Sequence, residues 1–323
     1  MISLRLVYAL AGALFAAFAL LSAADREHPK RIGTGLFWGL LAVSFLAGDR
    51  LTDLGNGVVV IALALLAGFG ALGRGAPKTT GPEERRERST RHGDWLFVPA
   101  LIVPAVALLG SIVLKDVEVH GVPLLEARQA TILSLALGVV MALSLAVLWL
   151  RPRPIVPLQE GRRLIDAIGW AAILPQALAA LGGVFAAAGV GKAVGALAAG
   201  WIPVDARFAV VSAYTFGMAI LTVIMGNGFA AFPTMTAAIG LPLIVQRLHG
   251  DPAVMAAIGM LSGFCGTLMT PMAANFNVVP ASLLELPDRD APLNGVIRAQ
   301  IPTALLLLFA NTLLMYFLAF PAP

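Results

Sequence analysis

The chain has 323 residues, of which 59% are hydrophobic and only 12% charged, with a mean hydropathy of +0.88. Soluble domains carry about 25% charged residues, so this composition excludes a water-soluble globular fold and points to an integral membrane protein. A single cysteine, Cys265, excludes an intrachain disulfide, and the net charge of +4 on such a chain reads as membrane topology rather than as a nucleic-acid partner.

A helix needs about 20 mostly apolar residues to cross the hydrocarbon core. Reading between charges predicts spans at Leu6–Ala23, Gly33–Ala47, Gly57–Leu72, Trp95–Leu114 and Thr131–Leu150. The first loop carries Arg26, Lys30 and Arg31, and the third Arg74, Lys78, Arg85, Arg86, Arg88 and Arg91. The fifth carries Arg151, Arg153, Arg162 and Arg163, whereas the second holds only Arg50 and the fourth Lys115 and Arg128. The positive-inside rule then places the odd loops in the cytoplasm and the amino terminus outside. Arg5, the run Leu6–Leu21 and Ser22-Ala23-Ala24 also suit a cleaved signal peptide, but the basic stretch that follows behaves better as a cytoplasmic loop. Residues 75–94, rich in Pro, Thr, Glu and Arg, read as a mobile, solvated cytoplasmic loop that anchors the chain. Residues 1–150 are thus a five-span membrane region.

After Arg163 the pattern changes. Ala167–Gly191 is uncharged but interrupted at Pro175-Gln176 and Gly182-Gly183, and small residues continue to Trp201-Ile202-Pro203. Phe208–Gln246 has no charged residue over 39 positions, nearly two spans with no polar loop between them. Its middle reads Gly226-Asn227-Gly228-Phe229-Ala230-Ala231-Phe232-Pro233-Thr234. Glycine loosens a helix and proline removes a donor, so one helix is predicted to stop near Gly226 and the next to start near Pro233. Pro252–Leu284 repeats the construction around Gly266–Asn277, with Thr270 predicted to cap a helix whose first residue is Pro271. A conventional span is predicted at Ile301–Phe320.

Broken helices at membrane depth are tolerated only where they are buried in protein or line a cavity. Secondary transporters use them to bind substrate and coupling ion with helix ends, carbonyls and neutral side chains. The candidate binding residues are Asn227, Thr234 and Thr236 at one break, Thr267, Thr270, Asn275 and Asn277 at the other, and Gln176 after a third. Asn227, Thr270 and Asn275 are candidate Na+ ligands. Against this stands the reading of the same side chains as interhelical glue. No Asp, Glu, Lys, Arg or His lies inside the two long uncharged runs, and Asp166, Lys192 and Asp205 fall only near span ends; neutral oxygens fit sodium coupling or passive transport better than a proton relay. No cofactor is called for. The four histidines (His28, His92, His120, His249) are scattered, and no hydrolase elbow or phosphate loop occurs. An enzyme is therefore not expected.

Gly226–Pro242 (GNGFAAFPTMTAAIGLP) and Ala257–Pro280 (AIGMLSGFCGTLMTPMAANFNVVP) resemble a bacterial family catalogued as domain of unknown function 979. The resemblance runs along most of the chain and is strongest over Leu164–Leu286. It implies one subunit of a two-part carrier of 5-oxoproline (pyroglutamate), working with a second, smaller membrane protein. A looser resemblance links the breaks to the ion-transporter superfamily of anion carriers, which implies hairpin tips at Asn227 and at Thr270, Asn275 and Asn277. The Ser-Asn-Thr string of some of those carriers is missing here.

The expected protein is all-α, a polytopic integral membrane protein of about 8–10 segments in a bacterial inner membrane. Broken helices or re-entrant hairpins fill its C-terminal region, residues 151–323. Its expected function is to carry a small organic anion, 5-oxoproline first, with a cation and a partner subunit. The alternative is a non-transporting membrane scaffold or assembly subunit.

Overall fold

The computed structural model describes residues 3–114, 117–119, 122–126, 129–200, 202–284 and 291–320. Lys115, His120, Arg128, Trp201 and Leu286, named above, lie outside these. Among the described residues, nine helical stretches are long and apolar enough to cross a membrane, and the chain is an all-α polytopic membrane protein. It divides into two compact units, Met1–Gly169 and Trp170–Pro323.

The first unit contains α1 (Leu4–Ala24), α2 (Arg31–Ala47), α3 (Asp53–Gly68), α4 (Pro82–His92), α5 (Val98–Ile112), α6 (Ala130–Leu150) and α7 (Val156–Ile168). A two-residue ladder pairs Glu118–Val119 with Val122–Pro123. α1 and α2 form a hairpin in which Phe15 stacks between Trp38 and Phe45, at 5.8 and 5.6 Å. Leu6, Leu10, Leu14 and Leu20 point outward, as lipid-facing positions should. α3 begins earlier than the expected Gly57 because the Thr52 hydroxyl accepts the Gly55 N–H at 3.2 Å and caps it.

The stretch expected as a loop at 75–94 contains α4. Pro82 opens it, Glu83 and Glu84 lie in its first turn and Arg91 and His92 in its last, an order that suits the helix dipole. The compact units divide between Gly169 and Trp170. α7 packs on α1 within the first unit, held there by buried charge. It carries Glu160, Arg162, Arg163 and Asp166 in 13 residues, too many charges for hydrocarbon, and is an interfacial helix.

Contacts within this unit bring the odd loops to one end. Lys30 Nζ donates to the Gly70 carbonyl at 2.5 Å and Gly73 N–H to Thr34 Oγ1 at 3.0 Å. Arg85 pairs with Glu160 at 3.2 Å. Arg162, 1% exposed, donates to the Leu21 carbonyl at 2.7 Å and to Asp25 Oδ2 at 2.6 Å. Arg162→Ala should therefore cost about 3–5 kcal/mol, the price of stranding a buried charge, read as a fall in melting temperature in detergent. Arg163, in a half-exposed pair with Glu160, should cost less on the same substitution.

The second unit contains α8 (Leu174–Ala187), α9 (Val190–Ala199), α10 (Arg207–Met225), α11 (Gly228–Met235), a π-helix (Thr236–Arg247), α12 (Pro252–Met269), a π-turn (Ala274–Val278), α13 (Val279–Leu283) and α14 (Pro292–Leu318). α10 and α12 are its inner pair, and Val210, Tyr214, Met218, Ile244, Met255 and Met315 form the core around them. Gly266 allows the close approach, since a Cβ there would collide with the Ala219 carbonyl and stand 2.8 Å from Thr222 Cβ. Thr215 on α10 meets Thr312 on α14 at 2.8 Å, which fixes the register of those two helices. α14 starts at Pro292, ahead of the expected Ile301.

Both breaks exist, but each restart differs from expectation. α10 ends at Gly226 in the left-handed conformation (φ 79°), and α11 begins at once at Gly228, capped by Asn227 Oδ1 accepting the Phe229 N–H at 2.8 Å. Pro233 therefore lies inside α11 and does not start a helix. The wider π register follows it from Thr236, and Pro242, also without a donor, lies within that segment. Thr270 is the C-cap of α12, with extended backbone, rather than the N-cap of a following helix. Pro271 and Met272 make a turn, and helical structure resumes at Ala274. Nor does Pro175-Gln176 break a helix: Pro175 sits in the first turn of α8, and Gly182 and Gly183 lie inside it.

Candidate functional site

The two breaks come together. Gly226, Asn227 and Phe229 from the first, and Thr267, Ala273, Ala274, Asn275 and Phe276 from the second, line one pocket with Pro175, Leu178 and Phe264. Gly226 brings the walls close, since a Cβ on it would stand 2.6 Å from Met272 Cβ. The pocket holds about 80 Å³, roughly half the 150 Å³ apolar cavity that takes a benzene ring. That volume fits a dehydrated cation or the head of a small anion, with the rest of a larger ligand in the open mouth of the pocket.

Of the eight residues singled out from the sequence, Asn227, Thr267 and Asn275 line the pocket. The Thr267 hydroxyl donates to the Phe264 carbonyl at 2.6 Å, which leaves its lone pairs as acceptors. Thr270 and Asn277 are fully buried behind the wall and hold the break in shape. Thr270 Oγ1 donates to the Val223 carbonyl at 3.0 Å, pinning the end of α12 to the last turn of α10. Asn277 Nδ2 donates to the carbonyls of Thr267 and Thr270, at 2.9 and 2.7 Å. The Thr270 hydroxyl is thus engaged with α10, and of the three candidate Na+ ligands Asn227 and Asn275 line the pocket while Thr270 does not.

Thr234 is buried in α11 and its hydroxyl has no hydrogen-bond partner among the described residues. Thr236 lies 3.4 Å from the Tyr214 hydroxyl in the core, and Gln176 is exposed on α8. None of these three lines the pocket. Three aromatic residues went unread in the sequence: Phe229, Phe264 and Phe276 form a chain of ring contacts at 5.9 and 6.1 Å across the pocket. A signal was present, because a phenylalanine stands beside an asparagine in both breaks, as Asn227-Gly228-Phe229 and Asn275-Phe276-Asn277. Thr222, fully buried one turn before the first break with an unpartnered hydroxyl, was missed as well.

The fold and this pocket define a polytopic α-helical membrane protein whose inner helices break side by side around a small polar-and-aromatic cavity. The chain belongs to the family described as protein of unknown function DUF979, whose model matches residues 5–320. No curated protein matches it. No solved structure does either.

Proposed function

We propose that the chain is a subunit of a secondary carrier in a bacterial cytoplasmic membrane. It would move a small organic anion, 5-oxoproline first, together with sodium and with a second, smaller membrane subunit. The observation that carries this reading is the meeting of two helix breaks at one pocket with Asn227, Thr267 and Asn275 on its wall. The arrangement matches the way carriers place substrate sites at interrupted helices.

The chemistry of that wall supports an anion. Asn227 Oδ1 holds the Phe229 N–H at the start of α11. A carboxylate is a better acceptor at a helix N-terminus, so it would take that N–H over and free the Asn227 carboxamide to meet the rest of the ligand. Asn275, exposed on the pocket wall, offers both a donor and an acceptor to a lactam. A cation would find the lone pairs of Thr267 Oγ1 and Asn227 Oδ1.

Basic loops 1, 3 and 5 lie at one end of the first unit, which supports a cytoplasmic location for that end and an outside amino terminus. The scaffold reading draws support from Thr270, Asn277 and Thr215, whose hydrogen bonds are spent inside the protein. Uptake of labelled 5-oxoproline into proteoliposomes separates the two readings, with the chain alone or with its partner and with or without an inward sodium gradient. A carrier gives uptake that needs both chains and the gradient, and Asn227→Ala and Asn275→Ala lower it about tenfold or more, the value of one lost charge-assisted hydrogen bond. Normal uptake by both variants removes the pocket from the mechanism. No uptake in any combination, from folded protein, leaves the scaffold.

A further inference from the structure

Where the odd loops meet in the first unit, His28, Arg162 and Asp166 are 3%, 1% and 4% exposed, and the Asp25 side chain beside them is mostly buried. Both Nη atoms of Arg162 are committed, to Asp25 and to the Leu21 carbonyl. Asp166 Oδ1 accepts the Trp38 indole N–H at 2.9 Å. The Gly75 backbone N–H also faces this carboxyl group; its Oδ2 has no close hydrogen-bond partner among the described residues and lies 3.7 Å from His28 Nε2, which has none either.

The other side of the imidazole sets its tautomer. The Lys30 amide N–H donates to His28 Nδ1 at 3.1 Å. Nδ1 therefore carries the lone pair, and the proton of the neutral ring sits on Nε2, toward Asp166. The remaining charges around the cluster stand at its rim. Lys30 and Arg74 are exposed and donate to the Gly70 and Ala167 carbonyls, and Arg26, Glu27 and Lys78 are exposed as well. Two carboxylates thus face a single buried guanidinium, and the buried group is one positive charge short. An uncompensated buried charge is costly, and a group in that position lowers the cost by binding a proton.

We infer that His28 and Asp166 form a proton-operated latch on the first unit. One proton from solvent binds His28 Nδ1, and the Lys30 amide, now facing a second donor, is released. The imidazolium Nε2–H closes on Asp166 Oδ2 from 3.7 Å to the roughly 2.7–2.9 Å of a charge-assisted bond. No covalent bond changes. Lys30 is the N-cap residue of α2, so acid frees the start of α2 while tying loop 1 to α7. The latch stands whether or not the chain is a carrier.

The test is nitrogen NMR of the full chain, labelled in its histidine side chains and in its lysine amides and held in lipid nanodiscs. His28→Asn identifies the His28 signal among the four histidines. Near neutral pH, His28 should show an Nε2–H ring. On acidification both nitrogens become protonated, and the Lys30 amide resonance moves in the same step. Asp166→Asn removes the charge shortfall and should move that step to lower pH. Trp38→Phe keeps the charges but removes a donor to the carboxylate, and should move the midpoint the other way. An Nδ1–H ring at neutral pH, a Lys30 amide silent through the step, or shifts of the same sign in the two variants would overturn the latch.

Discussion

Gly226→Ala is expected to abolish uptake while the chain still inserts in the membrane. The residue occupies φ 79° at the end of α10, where an alanine costs about 1–2 kcal/mol in conformation alone. The added Cβ would also stand 2.6 Å from Met272 Cβ and 3.3 Å from Leu178 Cδ1, between the two breaks. Neither neighbour can yield without moving a pocket wall, because Leu178 lines the pocket and Met272 immediately precedes Ala273, which lines it too. The control is Gly183→Ala, inside α8 with open space around its Cβ position. It should be neutral or should stabilise the helix by up to about 1 kcal/mol. Uptake and melting temperature measured on both variants decide the matter. Wild-type uptake by Gly226→Ala would mean that the proposed transport does not depend on the close approach of the breaks.

Asn277 and Asn275 are expected to fail in different ways although they stand two residues apart. Asn277→Ala removes the amide group that donates to the carbonyls of Thr267 and Thr270, and leaves the second with only the long 3.4 Å contact from the Ala273 N–H, at about 1–3 kcal/mol for each buried oxygen that loses its partner. Stability and uptake should fall together. Asn277→Asp should be worse, since it aims a negative charge at the same two carbonyls. Asn275 is exposed on the pocket wall, so Asn275→Ala should lose uptake with an unchanged melting temperature. Equal melting temperatures for Asn275→Ala and Asn277→Ala would contradict this division of roles.

Much of the architecture was legible from hydropathy, since apolar length and charge placement respond to the bilayer and not to neighbouring helices. α1, α2 and α6 lie within a few residues of the spans expected for them. The existence of both breaks was legible too, because two uncharged runs too long for one span require a stop. Where each helix restarts was not. Sequence points to proline as the first helical residue, but Asn227 caps α11 ahead of Pro233, and Thr270 gives its hydroxyl to α10 instead of to a helix of its own. Capping is settled by which donor or acceptor happens to be within reach, and the partner of Thr270 lies 47 positions away in the chain.

The roles of the polar residues divided along the same line. Sequence supplied Asn227, Thr267, Thr270, Asn275 and Asn277 as one undifferentiated group, because hydropathy cannot tell a side chain aimed into a cavity from one spent on a neighbouring carbonyl. It also passed over His28 and Asp166, which lie 138 positions apart and outside the uncharged runs, and which the packing of α7 on α1 brings to 3.7 Å. By itself, then, the sequence determined that this is a many-spanning membrane protein with basic loops on one side and two interrupted helices, because those properties depend only on local composition along the chain. Tertiary structure alone decided which of the interrupting residues face the pocket, which merely hold it open, and that a buried group one charge short sits among the loops, since each of these depends on distances between residues far apart in the chain.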